Sequence, residues 1–492
     1  MKKMGLVVIW ICVCAHPLWA QREAPPLVKK SATELRSDIA LLKKILEANH
    51  PSLYWYTPKD SMDLFFEQSI NSITDSLDEV QFKNKVAWIV SKIRCGHTTV
   101  MFSKNYTKRA AHYRYPSFPL YLKTWGDSMV VLANMFTRDP ILKRGTVITG
   151  INGKTNRQLL DTLFQYISSD GYAFNYKSQV LSGNFPAWYK TVLGTDSSYI
   201  INYIDSSGVE ASIVRDNFRP VTDTSRKRER NFLAPKLPSR RELRKARLLA
   251  KRDMYIDTAN NTAVMRLATF SNGRLRGFFR RSFRTIRKQH IEHLVIDLRE
   301  NGGGKVSSSI LLTKYLSDHP FKVGDTIAAA SRKFKYGRYI SPSFIYWFPM
   351  YFASRKMDDG RIHARRYETK LFAPKTQNHF NGQLTLIQGG YSFSATTLFI
   401  STMKGQKNTT IAGEESGGGY YGNSAMFLPT ITLPNSRLRI SLPMYRLVMD
   451  TARVKGHGIA PDLFIPPSTE SIKAGYDPKM RTIMQLIQQK KL

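Results

Sequence analysis

Three apolar runs, each ending in glycine, constrain this chain more than any other feature. They are "LVIDLRENGGG" (294–304), "LTLIQGGYSFSA" (384–395) and "TTIAGEESGGG" (409–419). Leu294 to Leu298 is apolar almost without interruption, which suits a sheet member buried on both faces. The first two runs lead into helical texture, "VSSSILLTKYL" and "ATTLFISTMKG". Strands alternating with helices set an α/β domain.

The glycines at the strand ends let backbone approach a ligand closely, and N–H groups there can receive an anion or an oxyanion. "GGGKVS" has neither the Walker pattern nor the spaced third glycine of a dinucleotide turn. In the second run two serines sit at the corner, Ser392 and Ser394. A serine at a helix start is by default an N-cap. As a nucleophile, Ser394 gains the positive helix end and the N–H of Ala395 for a tetrahedral oxyanion. Ser392 faces the same side if the corner is extended, but bulky Phe393 follows it, so Ser394 is the better nucleophile. A serine needs a base. Of the ten histidines, His97 stands out, in the Gly-His-Thr turn that closes a helical region.

Composition bounds the rest. A short basic head, an apolar run and Leu18-Trp19-Ala20 mark residues 1–20 as a signal peptide. An exported, periplasmic or extracellular product follows, with Cys95 as its single mature cysteine and hence no intrachain disulfide. The 492 residues, 42% of them apolar, suffice for several cored domains. The net charge of +37 is concentrated. Arg226 to Arg252 holds twelve Lys or Arg against two Glu, and Gly273 to Lys288 adds six Arg and one Lys. No zinc-finger, RNP-type or helix-turn-helix signal accompanies them, so nucleic acid is not expected. The expected role of Arg226–Arg252 is a basic linker that contacts anionic envelope surfaces.

Helical periodicity over Ala32 to Lys92 (Leu35, Ile39, Leu42, Ile45, Leu46) gives way near Tyr115 to short strands. There "GTVITGINGKTNRQLLDTLF" reads as strand, Asn-Gly turn, helix. The resulting division is a helical domain 21–111 carrying His97, a domain 112–217, the linker 218–257, an α/β catalytic domain 258–470 and a C-terminal helix 471–492.

These segments, together with "GHT" and "GIAPD" (458–462), occur in the order typical of one family. The chain resembles the tail-specific, or C-terminal processing, serine peptidases, in particular the tricorn-core-like branch. The resemblance implies a crotonase-like ββα-spiral catalytic domain and a PDZ-like module at 112–217 that takes an extended polypeptide by strand addition. It also implies a Ser394–His97 pair, an oxyanion hole from Gly302, Gly303 and Ala395, and no metal or organic cofactor. The dyad branch takes a lysine from the glycine-rich segment after the serine; here that position is Gly419. The tetrad's glutamate before "GIAPD" is replaced by Lys455, which leaves Glu414, Glu415 or Asp450 as substitute acids. The missing acid also keeps open a catalytically inactive peptide- or lipid-binding relative on the same scaffold.

Overall fold

The computed structural model describes residues 27–113, 115–219, 238–342, 345–346, 350–352 and 354–491. The expected leader and most of the basic linker lie outside these. The runs that end in glycine form the centre of a six-stranded sheet. Its order is Leu463–Phe464, Thr409–Gly413, Gln383–Gln388, His293–Asp297, Thr262–Leu267, Arg252–Asp257. All neighbours are parallel except the last pair, a hairpin. Register is continuous across the centre: Leu294 faces Leu384 and Ala263.

Alternate side chains of these strands enter two different cores, which explains the uninterrupted apolar runs. Leu294 and Ile296 pack with Phe279, Phe283 and Phe399 from the helices Leu275–Lys288 and Ala395–Met403. Val295 and Ile387 face the opposite way, onto Ile483 and Ile487 of the helix Pro478–Gln488. The C-terminal segment expected as one helix is two, Thr469–Ala474 and Pro478–Gln488. Gly475, at φ 74°, ends the first in the left-handed region, and Asp477 caps the second through the N–H groups of Lys479 and Met480.

Residues 115–219 form a separate antiparallel sheet in the order Leu120–Trp125, Ser128–Asn134, Val147–Ile151, Ser198–Ile204, Glu210–Asp216. The Asn152-Gly153 turn holds both residues at positive φ, 50° and 74°, as a tight hairpin turn requires. The helix Phe174–Gly183 lies against the edge strand Leu120–Trp125. There Thr124 donates its N–H to Ser182 Oγ and its hydroxyl to the Ser178 carbonyl. This region has its own core around Phe118, Leu159 and Tyr199.

The N-terminal helices do not. Leu35, Ile39 and Val86 share one core with Ile327, Ile431, Leu438 and Leu447 from two antiparallel sheets of the 323–449 region. Strand Val100–Met101 pairs directly with Arg439–Ser441. His97 therefore stands in a segment built into the same core as residues 323–449. The expected linker also ends earlier than residue 257. Ser239 and Glu242 form a capping box on a helix Arg240–Leu249, and Arg252–Asp257 is already an edge strand of the sheet.

Candidate active site

The corner after strand Gln383–Gln388 sets the two serines apart. Ser392 is fully buried; it donates its hydroxyl to the Leu298 carbonyl and accepts the Gly389 N–H. Its carbonyl accepts the N–H groups of Gly417 and Gly418. Every polar atom of that side chain is engaged in holding the corner.

Ser394 is the N-cap residue of the helix Ala395–Met403, yet its side chain caps nothing. Its backbone sits at φ 57°, ψ −122°, where a non-glycine residue is strained by about 1–3 kcal/mol. Its Oγ makes no hydrogen bond to the helix N–H groups, so the default role of a serine at this place is not taken. The adjacent Ala395 is buried, and among the described residues its N–H has no partner. An N–H of a first helical turn left open beside a hydroxyl can accept a developing negative charge.

The glycine loop after strand His293–Asp297 closes on the same corner. A Cβ at Gly303 would stand 2.7 Å from Ser394 Cβ, and φ is 97° there, so the close approach needs glycine. The Gly303 N–H, however, is donated to Asn301 Oδ1 at 2.9 Å. Gly303 thus shapes the corner, but its N–H does not stand open for an oxyanion. Gly302 is exposed, and its N–H has no partner among the described residues.

His97 reaches the corner through packing. Its ring lies 4.6 Å from that of Phe393, which in turn stacks on Tyr176 at 4.9 Å. Among the described residues no hydrogen bond joins His97 to Ser394, and His97 Nδ1 is buried without a partner. Burial lowers the His97 pKa to about 4, so the imidazole is neutral and able to take a proton at pH 7. The turn beneath it is tightly held. Thr98 donates its N–H to the Cys95 carbonyl, and Thr98 Oγ1 is 2.9 Å from His50 Nε2. Because His50 Nδ1 accepts the Ser52 N–H, Nε2 carries the hydrogen and is the donor to Thr98. Gly96 allows Phe393 in, since a Cβ there would be 2.6 Å from the ring. Cys95 is buried, and burial pushes its thiol up to about 12, so it is inert.

None of the three substitute acids faces His97. Glu414 is buried in an ion pair with Lys479 Nζ at 2.9 Å. Glu415 accepts the Gly458 N–H at 2.6 Å, and Asp450 pairs with Arg453 at 2.8 Å. Each is already committed to holding a loop or an exposed turn. Lys455 donates to the Trp55 carbonyl and lies over the Trp55 and Tyr56 rings. Gly419 brings no side chain, and Lys404 is bound to Asp462.

The carboxylate that does come to the histidine turn is Asp170, which the linear reading passed over. It accepts the Gly96 N–H at 2.8 Å and the Gly419 N–H at 3.4 Å, so it ties the histidine turn to the glycine-rich loop. Asp170 is 2% exposed, and burial raises its pKa to about 7. The sequence carried only a weak signal, an Asp-Gly in a turn between two helical stretches. Its separation in sequence from Gly96 and Gly419 hid these contacts.

Beside the corner, a cavity of about 850 Å³ opens between the 115–219 sheet and the carboxyl ends of the parallel strands. Lys123, Gln179, Arg299, Gly390 and Tyr391 are among the residues lining it. Crevices at that end of a parallel sheet are the usual ligand sites of α/β folds. Among the described residues, no group of three or more His, Cys, Asp or Glu is arranged to hold a metal ion.

Residues 261–465 match the model of Peptidase family S41. No curated protein sequence matches the chain. Among solved structures, mature CPAF is similar at a TM-score of 0.61 and 12% identity, covering 93% of this chain and 98% of that chain. Its complex with lactacystin gives 0.60 at 12%, covering 94% and 98%, and a point mutant of CPAF gives 0.63 at 12%, covering 93% and 98%. At such identity the likeness is one of fold. Over residues 261–465 the chain carries a serine-peptidase domain of family S41.

Proposed function

We propose that this protein is an exported serine peptidase acting on extended or unfolded polypeptides, with Ser394 as nucleophile and His97 as general base. The observation that carries the reading is Ser394 itself. It is held at φ 57° at the head of a buried helix, uncapped, beside the open N–H of Ala395. Strain of this kind persists where the surroundings over-determine it, and it clusters at catalytic sites. Ser394 Oγ attacks the peptide carbonyl, and neutral His97 takes the hydroxyl proton and returns it to the leaving amine. Water then hydrolyses the acyl-enzyme by the same route. The N–H groups of Ala395 and Gly302 receive the oxyanion; that of Gly303 joins them only by leaving Asn301. Catalytic hydrogen bonds are often long in a free enzyme, so the packed His97–Phe393 contact is compatible with a base that closes on substrate. Asp170 serves as a positioning residue by fixing the Gly96 N–H under the imidazole.

The 115–219 region, read as a PDZ-like module, presents substrate along a sheet edge. Helix Phe174–Gly183 already bonds to strand Leu120–Trp125, whereas Glu210–Asp216 is an edge strand with alternate exposed residues. The segment Arg226–Arg252 holds the protein near anionic envelope surfaces; its described helix Arg240–Leu249 buries no residue. A second reading, a peptide binder without turnover, is favoured by Lys455 at the acidic position and by the unpartnered His97 Nδ1. A serine-reactive fluorophosphonate separates the two. Labelling of the wild type that is lost in Ser394→Ala supports the peptidase. Folded wild-type protein that takes no label is the binder.

A further inference from the structure

Next to the edge strand Arg252–Asp257 lies a second cavity, of about 650 Å³, that shares no lining residue with the 850 Å³ cleft. Arg252, Arg274, Arg276, Arg281 and Lys305 line it, with Phe270 in its wall, and no carboxylate is among its lining residues. Among the described residues none of the five cations has an ion-pair partner. Arg252 is fixed in place: Nε donates to the Gly273 carbonyl, and the guanidinium rests 4.5 Å from the centroid of the Phe278 ring. Burial, then the neighbouring charges of Arg281 and Arg274, lower the pKa of Arg252, with Asp253 opposing them. The helix Leu275–Lys288 also starts here without a side-chain cap, leaving its first N–H groups to other acceptors.

A solvated basic surface does not require this arrangement. The helix Arg240–Leu249 carries as dense a charge with no buried residue, and of its side chains only Leu248 lines the cavity. Four of the five cations are exposed, and with Arg252 held in place around one concave site they suit a compact anion of more than one charge. A carboxylate neutralises a single cation, whereas a phosphate offers up to two charges and oxygens that match guanidinium forks.

We propose that this cavity binds a phosphate group, either of a soluble phosphate compound or of a lipid headgroup. The site touches the catalytic machinery through Phe270, whose N–H bonds the Gly303 carbonyl and whose carbonyl accepts from Lys305.

Tripolyphosphate titrated into the mature protein by calorimetry at near-physiological salt is the test. The expected result is saturable one-to-one binding, weakened about tenfold or more in Arg276→Gln/Arg281→Gln. The pair Arg241→Gln/Arg244→Gln removes the same charge from the exposed helix and is expected to change affinity by no more than about twofold. Equal weakening in both pairs, or no saturable binding, overturns the site. If the first pair does not fold, judged by its melting curve, Lys305→Gln replaces it, and unchanged binding there overturns the proposal as well. Vesicles of phosphatidylglycerol distinguish the sources. Binding that tripolyphosphate displaces and that the first pair loses identifies a lipid headgroup. Vesicle binding indifferent to that pair, alongside intact tripolyphosphate binding, identifies a soluble phosphate.

Discussion

At the scale of the residue, the corner assigns different work to two serines two residues apart. Ser394→Ala is expected to abolish hydrolysis, by several orders of magnitude, with an unchanged circular dichroism spectrum. Ser392→Ala is expected to keep turnover but lose about 1–3 kcal/mol of stability, because the Leu298 carbonyl and Gly389 N–H lose a buried partner. Denaturant titration of both variants checks this; a catalytically dead Ser392→Ala with normal stability reverses the assignment. The pH profile belongs to the same scale. An exposed imidazole would set the acid limb of kcat/KM near 6.5, whereas burial of His97 moves it towards about 4. Asp170, raised to about 7, contributes a second inflection as its carboxyl ionises, and Asp170→Asn should remove that inflection while leaving the lower limb. A profile unchanged in Asp170→Asn separates Asp170 from the proposed base His97.

Single elements decide how closely the reacting groups meet. The glycine loop after strand His293–Asp297 presses Gly303 against Ser394, with φ at 97°. Gly303→Ala therefore adds a methyl where Ser394 Cβ, the Phe393 carbonyl and the Ala395 N–H already stand. The expected outcome is loss of both fluorophosphonate labelling and stability, whereas Gly302→Ala, with open space at its Cβ, should remain folded. Equal behaviour of the two variants in a melting experiment would mean the loop gives way. The same loop shows how far strand and helix patterns reach. Apolar runs bounded by glycine marked three of the five parallel strands, since both faces of the sheet are covered there. The hairpin strand Arg252–Asp257 was hidden in the basic segment, because an edge strand with exposed alternate residues carries no apolar run.

For the molecule as a whole, shared cores determine which parts fold alone. Residues 115–219 have their own core and should unfold cooperatively as an isolated fragment. The helices of 27–113 complete a core with residues 323–449, so a fragment beginning at residue 238 should lack a cooperative melting transition until 27–113 is supplied. Acid stability is also a property of the whole. Folding lowers the pKa of His50 to about 3 by burial, below its unfolded value near 6.5. The unfolded chain then binds the extra proton, so stability is lost as pH falls from about 6.5 towards 3. His50→Gln should reduce that slope by about 1.4 kcal/mol per pH unit, measured by urea denaturation across the range. Asp170 opposes it: its raised pKa makes the folded state hold a proton between about 4 and 7, so its share of stability falls as pH rises through that window.

What the sequence determined by itself was local and periodic: the buried parallel strands, the Asn-Gly hairpin, the serine corner at a helix start and the histidine in a tight turn. Each is written within a few neighbouring residues, where backbone preference and side-chain spacing act directly. The choice between Ser392 and Ser394 rested on which serine begins the helix, and the helix does start directly after Ser394. Only the tertiary structure decided which carboxylate accompanies the histidine. Glu414, Glu415 and Asp450 are near the glycine-rich motifs in sequence but are bound to Lys479, Gly458 and Arg453, while Asp170 arrives from between two helices of another segment. It alone also decided that the N-terminal helices share the catalytic core. Burial and long-range pairing depend on which surfaces the folded chain brings together, and no local pattern records that.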